Sequence, residues 1–534
     1  MIQKIAISNF KVFKDFACDL TEGVSLIAGQ NNSGKTSLLQ AIAWWSEIWD
    51  FFHSVNTLQG NPIEINISAF KSIPISNFKE LWHDGNTNNP ITIQVEMDQG
   101  NLGFEIRYQS SYDIDVLIIE DTEESLQLLK GNPIKVQYIT PYSAPEIYEY
   151  SVDYQILSIR LAHGKGGSII RNLLLEASKD DEKWNTLQNT VDDFFGYELG
   201  FPSGLDPIRA RYRHSPEENY NNLINGASGF LQVVFLQSVL VRSSDNSILL
   251  IDEPDIHLHN LLKEKIYRLI CKQGIDKNCQ VIIASHSSRL IDEANKDDNL
   301  FLIASNRLNK VNRQTARDVV TIPTQHFVHA EINHRVLYLE DNTDKDILLG
   351  WAKVLNHPAQ YILDRVFCVT TARMKLNSKS HFQALRAVVP NLLGLEIRDS
   401  DGKTGNKQGP KGMKIEFWER YEIENYLIHP DAMIRYISQT YGKDKVKVVE
   451  NHIKRILPGD VLDDPLTDEI EFHDDNKGKN ILARILKLSG INLPESKLYT
   501  IAEVMKTTEI HPDVTKMLNL IQDQLNSPIS DQNK

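Results

Sequence analysis

Near the start of the sequence, Gly29-Gln30-Asn31-Asn32-Ser33-Gly34-Lys35-Thr36 fits GxxxxGK[ST] at every position. Glycines let consecutive backbone N–H groups wrap a β-phosphate at the start of a helix. Gly29, Asn31, Asn32, Ser33 and Gly34 would form that cradle. Lys35 would reach the β- and γ-phosphates, and the Thr36 hydroxyl would bind Mg2+. Far downstream, ILLIDEP puts Asp252 at a strand end, where it could hold Mg2+ through water. Glu253 beside it has the chemistry of a general base for an attacking water. His286 ends QVIIASH, where an imidazole could contact a γ-phosphate. The small-residue loop Asn225-Gly226-Ala227-Ser228-Gly229-Phe230 precedes a helix, so Ser228 and Gly229 read as an anion site. His257 and His259 in DIHLH read as loop residues after the base rather than as a metal pair.

A second set of acids lies near the C-terminal end. Glu340 closes RVLYLE, and EIRDSDG brings Asp399 and Asp401 to another strand end. At i and i+2 on an extended segment those two carboxylates face the same side. The three acids could hold one or two divalent cations, for which Mg2+ and Mn2+ suit oxygen ligands. Two such ions can clamp the attacking and leaving oxygens of a phosphodiester. The loop 403–414 carries Lys403, Lys407, Lys411 and Lys414, which suits either a nucleic-acid backbone or a solvated loop.

The elements that must position these residues follow from periodicity. The first thirty residues read as two strands, around Ile2, Ile5, Ile7 and around Val24, Leu26, Ile27. The second runs into the Gly-rich loop and then a helix marked by Leu38, Leu39, Ile42 and Trp45. ITIQVEM and LGFEIRY alternate and suggest a β-rich insertion over about 50–150, and 180–225 reads as polar helix and turns. SILLIDEP, QVIIASHS and FLIAS read as buried strands, with a helix between the first two, which predicts α/β with a mostly parallel sheet. A second α/β pattern begins near 335, and the tail from about 430 is mainly helical.

Composition sets the outer limits. The chain has 534 residues, 41% hydrophobic and 24% charged, as expected of a soluble globular protein of about three to four folding units. A net charge of −14 argues against nucleic-acid binding by global charge and leaves a local basic groove open. Four cysteines without a CxxC pair argue for a reducing compartment and against a cysteine zinc site. The alternating, charged N-terminal stretch does not read as a signal peptide. The most apolar stretch, FLQVVFLQSVLV, is too short for a membrane span of about 20 residues. The expectation is a cytoplasmic protein with no membrane partner.

Together GQNNSGKT, NGASGF, LLIDEPDIHLH and IIASHS resemble the ABC-type ATPases of the SMC/Rad50-like group, with ASGF where SGGQ is usual. Glu340 followed by the DxD of Asp399 and Asp401 resembles a TOPRIM domain, with Asp341 where Gly is usual. The order of the two is that of OLD-family proteins. The resemblance implies an ABC-type ATPase head (1–330, insertion about 50–150), a TOPRIM-like nuclease core (331–430) and a helical region completing it (431–534). It implies ATP sandwiched in a head-to-head dimer or tetramer, with Ser228 and Gly229 of one copy capping the γ-phosphate bound by another. It implies a Mg2+-sensing glutamine, for which Gln137 and Gln155 are both candidates. It also implies a further acid in FWERYEIENYL and a catalytic lysine. Glu422 and Glu424 lie about 200° apart on a helix, so one of them would face inward; Glu424 and Lys479 are the choices. A metal-dependent DNA endonuclease in anti-phage defence follows, acting alone or with a helicase-like protein or a retron reverse transcriptase and its small DNA. An ATP-dependent sensor or scaffold with a degenerate TOPRIM-like half is the alternative. An SMC-like repair ATPase is disfavoured because no long heptad region interrupts the head.

Overall fold

In the computed structural model, residues 1–55, 62–119, 123–131, 133–294, 299–304, 307–400, 406–467 and 476–526 are described. The chain divides into two units, Met1–Thr321 and Ile322–Lys534.

The first strand, Ile2–Phe10, buries Ile2, Ile5, Ile7 and Phe10. It is followed by Phe13–Asp19, in which Phe13, Phe16 and Cys18 point inward by the same alternation. The first thirty residues therefore hold three strands where two were expected. This hairpin joins the insertion in one antiparallel sheet, ordered Phe13–Asp19, Ile2–Phe10, Ile91–Met97, Gly100–Tyr108, Asp113–Ile119, Ile63–Asn66.

Val24–Ala28 is buried at every position, the mark of a central parallel strand. Its sheet runs Arg307–Lys310, Asn299–Ala304, Val24–Ala28, Gln280–Ser285, Ile248–Asp252, Val136–Ile139. All pairings are parallel except that of the edge strand Arg307–Lys310. The helix Lys35–Val55 fills the space between the two sheets. Leu38, Leu39, Ile42, Trp45 and Trp49 share one core with Ile93 and Phe104 of the first sheet and Leu250 and Ile282 of the second. On the other face the helix Ser228–Arg242 is buried from Phe230 to Val241, which accounts for its apolar sequence. The region 180–225 differs from the expectation of helix and turns. The helix Asp181–Phe195 stops at left-handed Gly196, and Glu198–Ser203, Arg209–Arg213 and Asn221–Asn222 form a small antiparallel sheet.

The second unit is built on a parallel sheet ordered Phe367–Thr370, Arg335–Leu339, Leu393–Arg398, Met413–Phe417. The last strand was read as the end of a Lys/Gly loop; Met413 and Ile415 are nevertheless buried. Helices dominate after 430, including Pro430–Tyr441, Lys443–Ile456, Gly478–Leu488 and Pro512–Leu525. The architecture is α/β: a mainly parallel six-stranded sheet with a β-rich insertion, then a smaller parallel α/β unit with a helical tail. Among the described residues no helix is long and apolar enough to cross a membrane.

Candidate functional site

The phosphate loop is formed by backbone geometry that glycine alone tolerates. Gly34 has φ +103, and a Cβ there would lie 2.9 Å from the Phe13 ring and 3.0 Å from Val12 Cγ2. The turn of the first hairpin thus presses directly on the loop. Asn32 also sits at positive φ, and Asn31 and Asn32 are exposed. Lys35 Nζ folds back to donate to the carbonyls of Gly29 (3.0 Å) and Gln30 (2.9 Å). Burial pulls its ammonium below the ordinary lysine value, opposed by Glu253 and Asp252. The buried Ser33 hydroxyl has no hydrogen-bond partner among the described residues.

The loop meets the acidic strand end. Thr36 Oγ1 donates to Asp252 Oδ2 at 2.8 Å, and Tyr138 OH donates to the same oxygen at 3.4 Å. The other oxygen, Oδ1, is buried and has no hydrogen-bond partner among the described residues. Burial, relieved by Thr36 and aggravated by Glu253, pushes the Asp252 carboxyl up to about 6. An unpartnered carboxylate oxygen next to a phosphate-loop threonine fits a Mg2+ site. Glu253 adopts positive φ, and its Oε2 stands 2.8 Å from His286 Nδ1. That carboxylate raises the imidazole above its ordinary value. Asp255 accepts from Ser285 Oγ (3.0 Å) and Lys263 Nζ (2.8 Å), tying the segment after Glu253 to the strand before His286. His257 and His259 are exposed in the following turn, His259 at the start of the helix Asn260–Asp276.

Ser228 is exposed at the start of its helix, whose N-terminus carries no side-chain cap. A Cβ on Gly229 would lie 3.3 Å from the His257 carbonyl, so this loop abuts the turn after Glu253. Neither glutamine candidate reaches Asp252. Gln137 bonds back to the Tyr138 carbonyl at 3.5 Å, and Gln155 is exposed on the helix Tyr154–Ala162. The phenol of Tyr138, by contrast, does reach Asp252. Tyrosine in a strand reads as core, which hides it from sequence analysis.

In the second unit Glu340 is exposed just past its strand, and Asp341 caps the next helix through Asn342 N–H at 2.7 Å. Asp344, which sequence analysis passed over, is buried and accepts from the N–H groups of Glu340 (3.1 Å) and Asp341 (3.0 Å). The D-x-x-D spacing of this capping box is the signal that could have found it. Asp399 accepts from Ile423 N–H at 3.2 Å. Its carboxyl is pushed up to about 9, first by burial and then by Glu340, Asp344, Glu424 and Glu422. Asp344 is pushed up to about 6 and Glu424 to about 7, burial leading in both.

The helical premise that set Glu422 apart from Glu424 does not hold. Glu422 is extended (φ −146, ψ 167) and caps a short 3-10 turn, Ile423–Leu427, so helical angles do not apply. Both carboxylates are buried. Lys479 donates its backbone N–H to Glu422 Oε1 at 2.8 Å, and its ammonium lies 3.9 Å from Oε2. Burial works against that ammonium, but Glu422, Glu424 and Asp399 outweigh it and hold it above the ordinary lysine value. A Cβ on Gly478 would lie 2.4 Å from Asn425 N, so glycine is what allows Lys479 to approach this closely. Asp401 and Lys403 lie outside the described residues. Lys407 pairs with Glu416, while Lys411 is exposed in the same loop. Among the described residues no three acid, histidine or cysteine side chains converge on one ion position as they stand.

Residues 24–292 match the family model described as "AAA domain, putative AbiEii toxin, Type IV TA system". The chain is 22% identical over 357 residues to an OLD nuclease of Thermus scotoductus (strain ATCC 700910 / SA-01), across 58% of this chain. It spans 63% of that relative's length. Among solved structures, an Smc head bound to the C-winged helix domain of ScpA is similar at 15% identity and TM-score 0.37. That match covers 58% of this chain and 96% of the other. The SMC head domain from Thermotoga maritima is similar at 14% identity and TM-score 0.33, over 58% and 99%. With a family model spanning half of its length, the chain belongs to this AAA-domain family.

Proposed function

We propose that the chain binds and hydrolyses ATP and is a metal-dependent DNA endonuclease whose cutting is gated by nucleotide. The single observation that carries the nuclease reading is the field of Glu340, Asp344, Glu424 and Glu422 at Asp399, whose carboxyl is pushed up to about 9 by burial first and by these acids next. Acids that raise one another are relieved by a divalent cation. Mg2+ or Mn2+ held by Glu340, Asp399, Asp401 and Glu424 would polarise a phosphodiester and lower the pKa of the attacking water. The chain's own residues do the rest. Asp344 pins the backbone under Glu340, Ile423 N–H orients Asp399, and Lys479 supplies positive charge for a phosphate that gains negative charge.

In the head, the loop amides and Lys35 would bind the phosphates of ATP, with Thr36 and Asp252 at the Mg2+ position. Glu253 would take the proton of the attacking water, with His286 beside it. The exposed, uncapped Ser228 with Gly229 of a second copy would close on the γ-phosphate, giving a head-to-head pair whose opening controls access to DNA. The working division is 1–330 for the ATPase, 331–430 for the nuclease core and 431–534 for its completion. A signal-gated nuclease suits bacterial defence against phage in the cytoplasm, alone or with a helicase-like partner or a retron reverse transcriptase and its small DNA.

Plasmid cleavage with Mg2+ or Mn2+, with and without ATP, tests this on wild type, Asp399→Ala/Asp401→Ala and Glu253→Gln. Metal-dependent cutting lost in the double variant is expected, with a changed ATP response in Glu253→Gln. No cutting under any condition, alone or with co-purified neighbours, sinks the nuclease reading. A second reading, a sensor or scaffold with a degenerate acidic centre, draws on the lack of three converging ligands among the described residues and on Asp341 serving as a helix cap.

A further inference from the structure

We propose that Tyr138 is a positioning residue of the nucleotide site, holding Asp252 by its phenol with Gln40 and Lys11 behind it. The inference rests on the reading of the head as an ATPase. Tyr138 lies on Val136–Ile139, the neighbour of the strand that ends in Asp252. Its hydroxyl donates to Asp252 Oδ2, the oxygen that also accepts from Thr36. Gln40, one helical turn beyond Thr36, bonds the same hydroxyl. Lys11 Nζ, in the turn of the first hairpin, donates to Gln40 Oε1 at 2.5 Å. Tyr138 and Gln40 are buried.

The direction of this chain is fixed by its ends. An ammonium only donates and a carboxylate only accepts. With Lys11 occupying the Gln40 carbonyl oxygen, the Gln40 amide is left to donate to the phenol oxygen, and the phenol proton goes to Asp252. Two O–H donors therefore hold one oxygen of Asp252. The other, Oδ1, is buried without a hydrogen-bond partner among the described residues. With Oδ2 held, Oδ1 is the oxygen left for a cation that would bind beside Thr36. The Tyr138 bond is long at 3.4 Å, so its expected part is orientation rather than a large share of affinity. Gln137, the neighbouring residue, is engaged with backbone instead.

The test is equilibrium binding of a methylanthraniloyl-ATP probe to the full chain, titrated with Mg2+ and repeated in EDTA, with thermal midpoints alongside. Tyr138→Phe keeps the ring and removes the donor to Asp252 together with the acceptor for Gln40. It should raise the Mg2+ concentration at half-saturation about three- to tenfold, with EDTA binding unchanged. Gln40→Leu should shift the Mg2+ midpoint in the same direction by less. A wild-type midpoint in Tyr138→Phe overturns the inference alone, as does an equal loss of binding in EDTA and in Mg2+. Wild-type chain that binds no more probe than Lys35→Ala overturns the ATPase reading and the inference with it.

Discussion

The two candidate centres hold their acids in opposite ways. In the head, Asp252 meets two O–H donors on one oxygen and lies in the field of Lys35, and burial raises it only to about 6. In the second unit, Asp399 has a backbone N–H as its donor, and burial first and four acids next raise it to about 9. The first is assembled by backbone geometry before any ligand arrives. The second is held by packing against its own repulsion, and a divalent cation is the natural relief. Donors, more than the number of acids, separate a site that waits ready from one that waits for its ion.

The largest test of the contrast is Glu253→Gln, which should slow ATP hydrolysis about 10²- to 10⁴-fold while sparing ATP affinity, read by phosphate release and calorimetry. Lys35→Ala should weaken ATP binding on the order of 100-fold, and calorimetry with wild-type affinity would break the account of the loop. The acidic centre should answer to pH instead. The folded Asp399 keeps a proton up to about 9 that the unfolded chain loses near 4. Stability should therefore fall as pH rises through that window and level off above it. Asp252, raised to about 6, adds nothing to the slope at higher pH. In chelator, thermal midpoints should drop by several degrees from pH 7 to 9, recover on adding Mg2+ or Mn2+, and stay flat in Asp399→Asn. The smallest effect is Gly478→Ala. Its Cβ would strike Asn425 N and the Glu424 carbonyl carbon, costing about 1–3 kcal/mol in denaturant unfolding and displacing Lys479 from Glu422.

The head was the more legible of the two because its chemistry is local. A phosphate loop is eight consecutive residues, and Asp252 and Glu253 sit where a buried strand must end. Tyr138 could not be read this way, since its partner lies on another strand and its type is ordinary core. In the second unit the acids come together from three stretches of chain. Asp344 passes for a helix cap because it is one. Glu422 was set aside by an angle that holds for an α-helix, whereas the residue is extended. Met413–Phe417 is obscured by the lysines and glycines around it.

The strand order of the parallel sheet also sets a schedule. Val24–Ala28 is made early, but its neighbours in the sheet are Gln280–Ser285 and Asn299–Ala304. On the ribosome that strand must wait for roughly 250 more residues, on the order of tens of seconds, before either edge is covered. Until then its unpaired N–H and C=O groups can join the wrong partner. The cell's burden with this protein thus falls on the nascent chain, and slowed elongation between the loop and residue 304 should lower soluble yield more than slowed elongation after it.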